Sequence, residues 1–312
     1  MAHDPTSRTF AGLPMDAGGD RCLPQRLAEI ARLVDARLDA AIDRACQVAV
    51  MASAVRYAAL GPGKRLRPAL VVLSARACGG SDEPALTAAA AVELVHAFSL
   101  VHDDLPCMDD DDLRRGRPTL HVHADEATAL LAGDAMLNAA YLLLATDVSD
   151  GALAARLTAE LARACAAMID GQAMDTLERV DPHAADARAH LERVHRCKTG
   201  ALLEASCRMG ALCADATPGQ LRALTDYASA VGLMYQIVDD LIDVEQPAEH
   251  AGKRTGKDAR AGKVTFPAVL GVQASRERVQ ALLEQARDAL APLGSAAADL
   301  AELAGVLARR DR

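Results

Sequence analysis

The sequence predicts an all-α protein. Hydrophobic residues make up 51% of the chain, yet aromatics make up only 2% and Trp is absent. Apolar residues recur at helical spacing from Leu23 onward, and no segment alternates with the period of a strand. A core of Ala, Leu, Val and Met is the composition of closely packed helices.

Residues 1–22 carry Pro5, Gly12, Pro14, Gly18 and Gly19 without an apolar period, so an N-terminal extension, disordered or loosely packed, is expected there. Leu27, Ile30, Leu33, Val34 and Leu38 then mark one helical stripe, and Val48, Met51, Val55 and Ala58 a second. Gly61-Pro62-Gly63, Gly79-Gly80-Ser81-Asp82, Arg115-Gly116-Arg117-Pro118, Asp181-Pro182-His183, Ala216-Thr217-Pro218-Gly219 and Gln246-Pro247 separate the later helices. No linker-like stretch divides residues 23–312, which are expected to form one domain.

A net charge of −9 and a pI near 5.5, with no long Lys/Arg stripe, exclude nucleic acid as a default partner. The eight cysteines show no C-x-x-C spacing and the chain shows no signal-peptide core, so reduced thiols and a cytoplasmic location are expected. Uncharged apolar stretches such as 135–146 run to about a dozen residues, below the roughly 20 that span a bilayer, so no membrane span is expected.

Asp103-Asp104-Leu105-Pro106-Cys107-Met108-Asp109 continues through Asp112, placing six carboxylates within ten residues, and Asp239-Asp240-Leu241-Ile242-Asp243 forms a second cluster. Such runs are either solvated surface or cation sites, because the repulsion needs water or cations to offset it. Two features favour cations. Each cluster emerges from an apolar helix, and the first is followed by Arg114, Arg115 and Arg117. Asp239 and Asp243 are i,i+4 on one helical face with Asp240 beside them, a hard-oxygen set suited to Mg²⁺. In the first cluster Pro106 interrupts the helix after Asp104, which lets the chain bring Asp109 back toward Asp103.

Gly61-Pro62-Gly63-Lys64-Arg65-Leu66-Arg67-Pro68 is a basic loop opening a helix, where N–H groups and guanidinium forks can hold a diphosphate. His96 lies seven residues before Asp103, on nearly the same face and about 10 Å away at about 1.5 Å per residue. Gln172 and Asp175 are i,i+3, and Lys198-Thr199-Gly200 sets a cation and a hydroxyl within an apolar helix. Gln236 stands one turn before Asp239 and Asp240, while Lys253 and Lys263 follow in a Gly-rich connection.

Together, in this order, these motifs resemble the trans-isoprenyl diphosphate synthases of the bacterial farnesyl diphosphate synthase type. The resemblance runs from about residue 25 onward, and Lys263-Val264-Thr265-Phe266-Pro267 also carries it. It implies a bundle of long antiparallel helices around a deep central cavity, the isoprenoid synthase fold, usually in a homodimer. It also implies that Lys64, Arg67, His96 and Arg115 bind isopentenyl diphosphate, and that Arg114, Lys198, Thr199, Gln236, Lys253 and Lys263 bind the allylic dimethylallyl or geranyl diphosphate. Asp103, Asp109, Asp175, Asp239, Asp240 and Asp243 would hold Mg²⁺, directly or through water. Asp103, Asp104, Asp109, Arg114, Lys198, Thr199, Gln236 and Asp239 would carry the catalysis of prenyl transfer.

In such enzymes, product length is attributed to side chains beneath the first aspartate motif. Here those are Phe98, one of only three Phe, and Ser99. A ring at that position implies (2E,6E)-farnesyl diphosphate, with a geranylgeranyl diphosphate synthase as the nearest rival. A terpene cyclase would dispense with Lys64, Arg67 and His96, and a non-catalytic partner subunit would lose charged ligands that this chain keeps. Arg309, Arg310 and Arg312 fit a basic C-terminus able to close the site.

Overall fold

The computed structural model describes residues 22–178, 181, 184–245 and 265–310. Helix α1 (Leu23–Ala45) starts with Pro24 in its first turn and buries Leu27, Ile30, Val34 and Leu38, the expected stripe; Leu33 is only partly covered. Helix α2 (Ala49–Ala59) departs from expectation. Val48 caps it and is exposed, and the buried face is Ala52, Val55 and Ala59.

Helices α3 (Leu66–Ala77) and α4 (Asp82–Asp103) are buried on nearly every side, as expected for helices that are apolar all round. Small residues let neighbours approach. A Cβ on Gly210 of α9 (Ala201–Cys213) would lie 2.1 Å from the Val71 carbonyl oxygen of α3, so the two helices meet there with no room for a side chain. Between them in sequence come α5 (Leu120–His123), α6 (Glu126–Asp147), α7 (Gly151–Leu177) and α8 (Ala187–His195). A π-helical turn, Arg196–Gly200, joins α8 to α9. The chain continues through α10 (Pro218–Glu245), α11 (Phe266–Leu270), α12 (Val272–Ala289), a 3₁₀ segment (Ala291–Ala297) and α13 (Ala298–Ala308). Buried side chains of these helices form one continuous apolar cluster.

Side-chain caps fix several helix starts. The Asp125 carboxylate accepts from the Thr128 N–H at 2.7 Å and that of Asp150 from the Ala152 N–H at 2.8 Å. At α10 a capping box forms: Thr217 N–H donates to Gln220 Oε1 at 2.9 Å, and Gln220 N–H to Thr217 Oγ1 at 3.3 Å.

The expectation of no strand fails at one small place. Leu113–Arg114 (β1) pairs antiparallel with Arg117–Pro118 (β2). Arg115 (φ 54°) and Gly116 (φ 75°) are both left-handed, the signature of a type I′ two-residue hairpin.

The apolar-stretch estimate also needs correction. Counted with their isolated charges, Asp82–Asp103, Glu126–Asp147 and Ala291–Ala308 are long and apolar enough to cross a membrane by length and composition. In the first, 78% of the most apolar window is buried inside the protein; in the second, only 44% is.

Candidate active site

Helix α4 delivers His96, Phe98, Ser99 and Asp103 to the centre of the molecule. Beyond it the chain folds back as the position of Pro106 predicts. Asp109 N–H donates to the Asp103 carbonyl at 2.8 Å, Asp110 N–H to that of Leu105 at 3.2 Å, and Asp111 N–H to that of Asp104 at 3.2 Å. Asp103 and Asp109 thus share one end of the site. Burial drives the Asp103 carboxyl up to about 6; Lys198 opposes the shift and Asp109 adds to it.

Asp104 does not face the site with them. It is 3% exposed and held bidentately by Arg114, with Nε at 2.7 and 2.9 Å and Nη2 at 2.5 Å. The I′ hairpin turns Arg114 inward onto this carboxylate, so two residues expected to take part in catalysis are paired with each other. Arg115 lines the niche beside His96 and donates to the Pro62 carbonyl at 2.6 Å, tying the hairpin to the loop that carries Lys64. Within that loop Arg65, one of the two guanidinium forks expected to hold a diphosphate, takes a left-handed backbone (φ 46°) and is instead buried against Asp35 at 2.7 Å and Glu93 at 3.1 Å.

On the opposite wall Lys198 Nζ lies 2.6 Å from Asp175. Thr199 Oγ1 donates to Gln236 Oε1 at 3.2 Å, and Gln236 Nε2 donates to Asp240 Oδ1 at 3.1 Å. The other Asp240 oxygen accepts the Phe266 N–H at 2.9 Å, and the carboxylate is buried. Asp240 therefore anchors α10 to α11 instead of lying beside Asp239 as expected. Asp239 pairs with Arg310 at 2.7 Å, whose guanidinium lies 3.6 Å over the Tyr235 ring. Asp243 follows one turn later, partly exposed. Lys253, Lys263 and Arg312 lie outside the described residues.

Arg67, His96, Phe98, Ser99, Asp103, Gln172, Lys198 and Thr199 line one cavity of about 390 Å³, with the apolar side chains of Met168, Ile169 and Leu177 also in its wall. A smaller niche of about 70 Å³ is lined by Arg65, His96, Asp104, Arg114, Arg115 and Arg117. His96 borders both. Burial, with Arg67, Arg115 and Arg114 around it, holds its pKa well below the ordinary histidine value, so the ring is neutral. Burial likewise lowers the pKa of Arg67, against the pull of Tyr235, Glu93 and Asp239. Among the described residues no three carboxylate, His or Cys side chains converge tightly enough to hold a metal ion, and the six expected ligands do not form one shell. Lys198, Arg310 and Arg114 instead draw Asp175, Asp239 and Asp104 into separate ion pairs.

The family model described as polyprenyl synthetase matches residues 48–299. Geranylgeranyl pyrophosphate synthase 9, chloroplastic, of Arabidopsis thaliana is 41% identical over 288 residues, covering 90% of this chain and 79% of that one. Farnesyl diphosphate synthase of Escherichia coli (strain K12) is 45% identical over 257 residues, covering 80% and 84%. A solved polyprenyl synthase from Caulobacter crescentus CB15, complexed with calcium and isoprenyl diphosphate, superposes with a TM-score of 0.82 at 26% identity over 96% of this chain and all of that one. The fold, the motif order and these relatives together establish that the chain belongs to the polyprenyl synthetase family and is a prenyltransferase of isoprenoid biosynthesis.

Proposed function

We propose that the protein is a Mg²⁺-dependent synthase that condenses isopentenyl diphosphate with dimethylallyl and then geranyl diphosphate to give (2E,6E)-farnesyl diphosphate. The observation that carries the chain length is the placement of the Phe98 ring and Ser99 in the wall of the 390 Å³ cavity headed by Asp103 and Lys198. A ring there limits the space open to a growing prenyl tail. The E. coli farnesyl diphosphate synthase relative supports this reading, and the plant geranylgeranyl relative supports a twenty-carbon product instead.

The donor set fits a hard divalent cation. All the candidate ligands are carboxylates, and the buried Asp103 beside Asp109 is a group that a cation would hold ionised. Asp103, Asp109, Asp175, Asp239 and Asp243 would hold Mg²⁺, which when bound would neutralise charge growing on the departing diphosphate. Asp240 acts on this wall through Gln236 and Phe266.

Lys198, Thr199, Gln236 and Arg114 bind the allylic diphosphate in this reading, and Lys64, Arg67, His96 and Arg115 bind isopentenyl diphosphate. The allylic C–O bond breaks and its electron pair leaves with the diphosphate. The isopentenyl double bond attacks the allylic cation, forming the new C–C bond. A proton then passes from the isopentenyl C2 to the released diphosphate, so no side chain has to act as base. Neutral His96 contributes a hydrogen bond and no charge. Phe98, Met108 and Met168 give the cavity an apolar wall beside the cation.

A cytoplasmic location is proposed on the eight free cysteines. A homodimer is proposed on the exposed Leu130, Leu131 and Leu142 of α6. Residues 23–312 act as one domain in this reading.

Incubation with Mg²⁺, isopentenyl and geranyl diphosphates should release inorganic diphosphate and yield a fifteen-carbon product. Release of none would favour a non-catalytic subunit. Phe98→Ala should lengthen the products seen by chromatography, and an unchanged profile would remove Phe98 from length control.

A further inference from the structure

The π-helical turn that presents Lys198 and Thr199 is gripped by backbone on two sides. A Cβ on Gly171 would lie 2.2 Å from the Lys198 nitrogen, and one on Gly232 would lie 3.1 Å from the Gly200 Cα. The third hold is a chain of side chains running from Thr199 through Gln236 to Asp240 and on to the Phe266 N–H. His195, the residue just before the turn, reaches the end of that chain. Its Nε2 lies 3.8 Å from Asp240 Oδ2, and its ring stacks on Phe266 with centroids 5.5 Å apart and planes at 22°.

The His195 side chain is only 11% exposed, and its buried Nε2 has no hydrogen-bond partner among the described residues. A buried polar atom left unmade is costly enough to need a reason. Burial lowers the pKa of the ring to about 4, against the pull of Asp175 and with Lys198 adding to the lowering, so it meets Asp240 as a neutral imidazole. A neutral ring still carries one N–H. A shift of about 1 Å, within ordinary side-chain motion, brings that nitrogen into hydrogen-bonding range of Oδ2.

We propose that His195 is a positioning residue: by donating to Asp240 it fixes Gln236 and Thr199, so that the π-helical turn offers Lys198 and Thr199 to the allylic diphosphate in one orientation. The inference rests on the prenyl-transfer reading of the cavity. It gives Asp240 the part of a buried relay between His195 and Gln236. The ring has two separable attributes, its face on Phe266 and its N–H toward Asp240. His195→Phe keeps the first and removes the second, whereas His195→Gln carries an amide N–H to about the same place.

The test is steady-state kinetics with Mg²⁺ on wild type, H195F and H195Q, varying geranyl and isopentenyl diphosphates separately, with a thermal melt of each protein. H195F is expected to raise KM for geranyl diphosphate by about three- to tenfold, the range of one net hydrogen bond. Its KM for isopentenyl diphosphate should stay within about twofold, and H195Q should restore the allylic KM. Should H195F not fold, H195L is the donor-free variant. A folded donor-free variant with wild-type constants overturns the proposal. So does equal impairment of both KM values in the donor-free variant and H195Q alike, with lowered melting temperatures, which is the behaviour of a core filler. Absence of condensation by wild type would instead overturn the prenyl-transfer reading.

Discussion

Asp103 shows how covering a single carboxylate costs stability. Its carboxyl titrates near 6 when folded and near 3.8 when unfolded, so the unfolded chain releases its proton first as pH rises. The group costs nothing below pH 3.8, progressively destabilises between 3.8 and 6, and above that costs up to about 3 kcal/mol at 1.36 kcal/mol per unit. Asp103→Asn should therefore raise the melting temperature of metal-free protein at pH 7.5 and leave it nearly unchanged at pH 4, while abolishing most activity. Equal gains at both pH values would contradict this origin. Asp104→Ala should act oppositely, leaving the Arg114 guanidinium without its carboxylate and costing about 3 kcal/mol in denaturant melts. The return of Asp109 toward Asp103 is legible in the sequence because Pro106 cannot continue the helix. The inward turn of Asp104 is not, since its partner lies ten residues away and is aimed by the left-handed backbone of Arg115 and Gly116.

At the scale of elements, the unusual piece is the π-helical turn at Arg196–Gly200, the kind of helix irregularity often found at functional sites. Glycine on the neighbouring helix makes room for it. Gly171→Ala would drive a methyl group into the Lys198 backbone, so it should lower stability by about 1–3 kcal/mol and also raise KM for the allylic substrate. Gly210→Ala creates a similar clash against Val71 but lies between α3 and α9, away from Lys198. It should lower the melting temperature and leave the KM values of the folded fraction unchanged. Comparable KM effects from both glycines would show that the turn is not the sensitive element. Helix existence and most breaks follow from periodicity and Gly/Pro punctuation. The face of α2 did not, because Ala52 and Ala59 give little hydrophobic signal and exposed Val48 gives a strong one.

For the whole molecule, the unresolved demand is the outer face of α6. More than half of its most apolar window is unburied, with Leu130 49%, Leu131 55% and Leu142 40% exposed. Single exposed leucines are ordinary, but three on one apolar helix make a patch suited to association. Light scattering should give twice the 32.7 kDa chain mass, and Leu131→Asp should reduce it to one chain mass. A wild-type mass of one chain would refute the homodimer.

By itself the sequence determined the helical class, most helix breaks and the candidate charged residues, because apolar period and the chemistry of carboxylates, lysine and arginine are local properties. Tertiary structure decided which carboxylates face the cavity. Asp103 points in, whereas Asp104 and Asp240 are drawn onto Arg114 and onto Gln236 and Phe266. Gln236 is one turn from Asp240 and legible as spacing, but the Arg114 guanidinium reaches Asp104 only through the hairpin's backbone, and the Phe266 N–H reaches Asp240 from a separate helix, within about 3 Å; spacing along the chain does not encode those approaches.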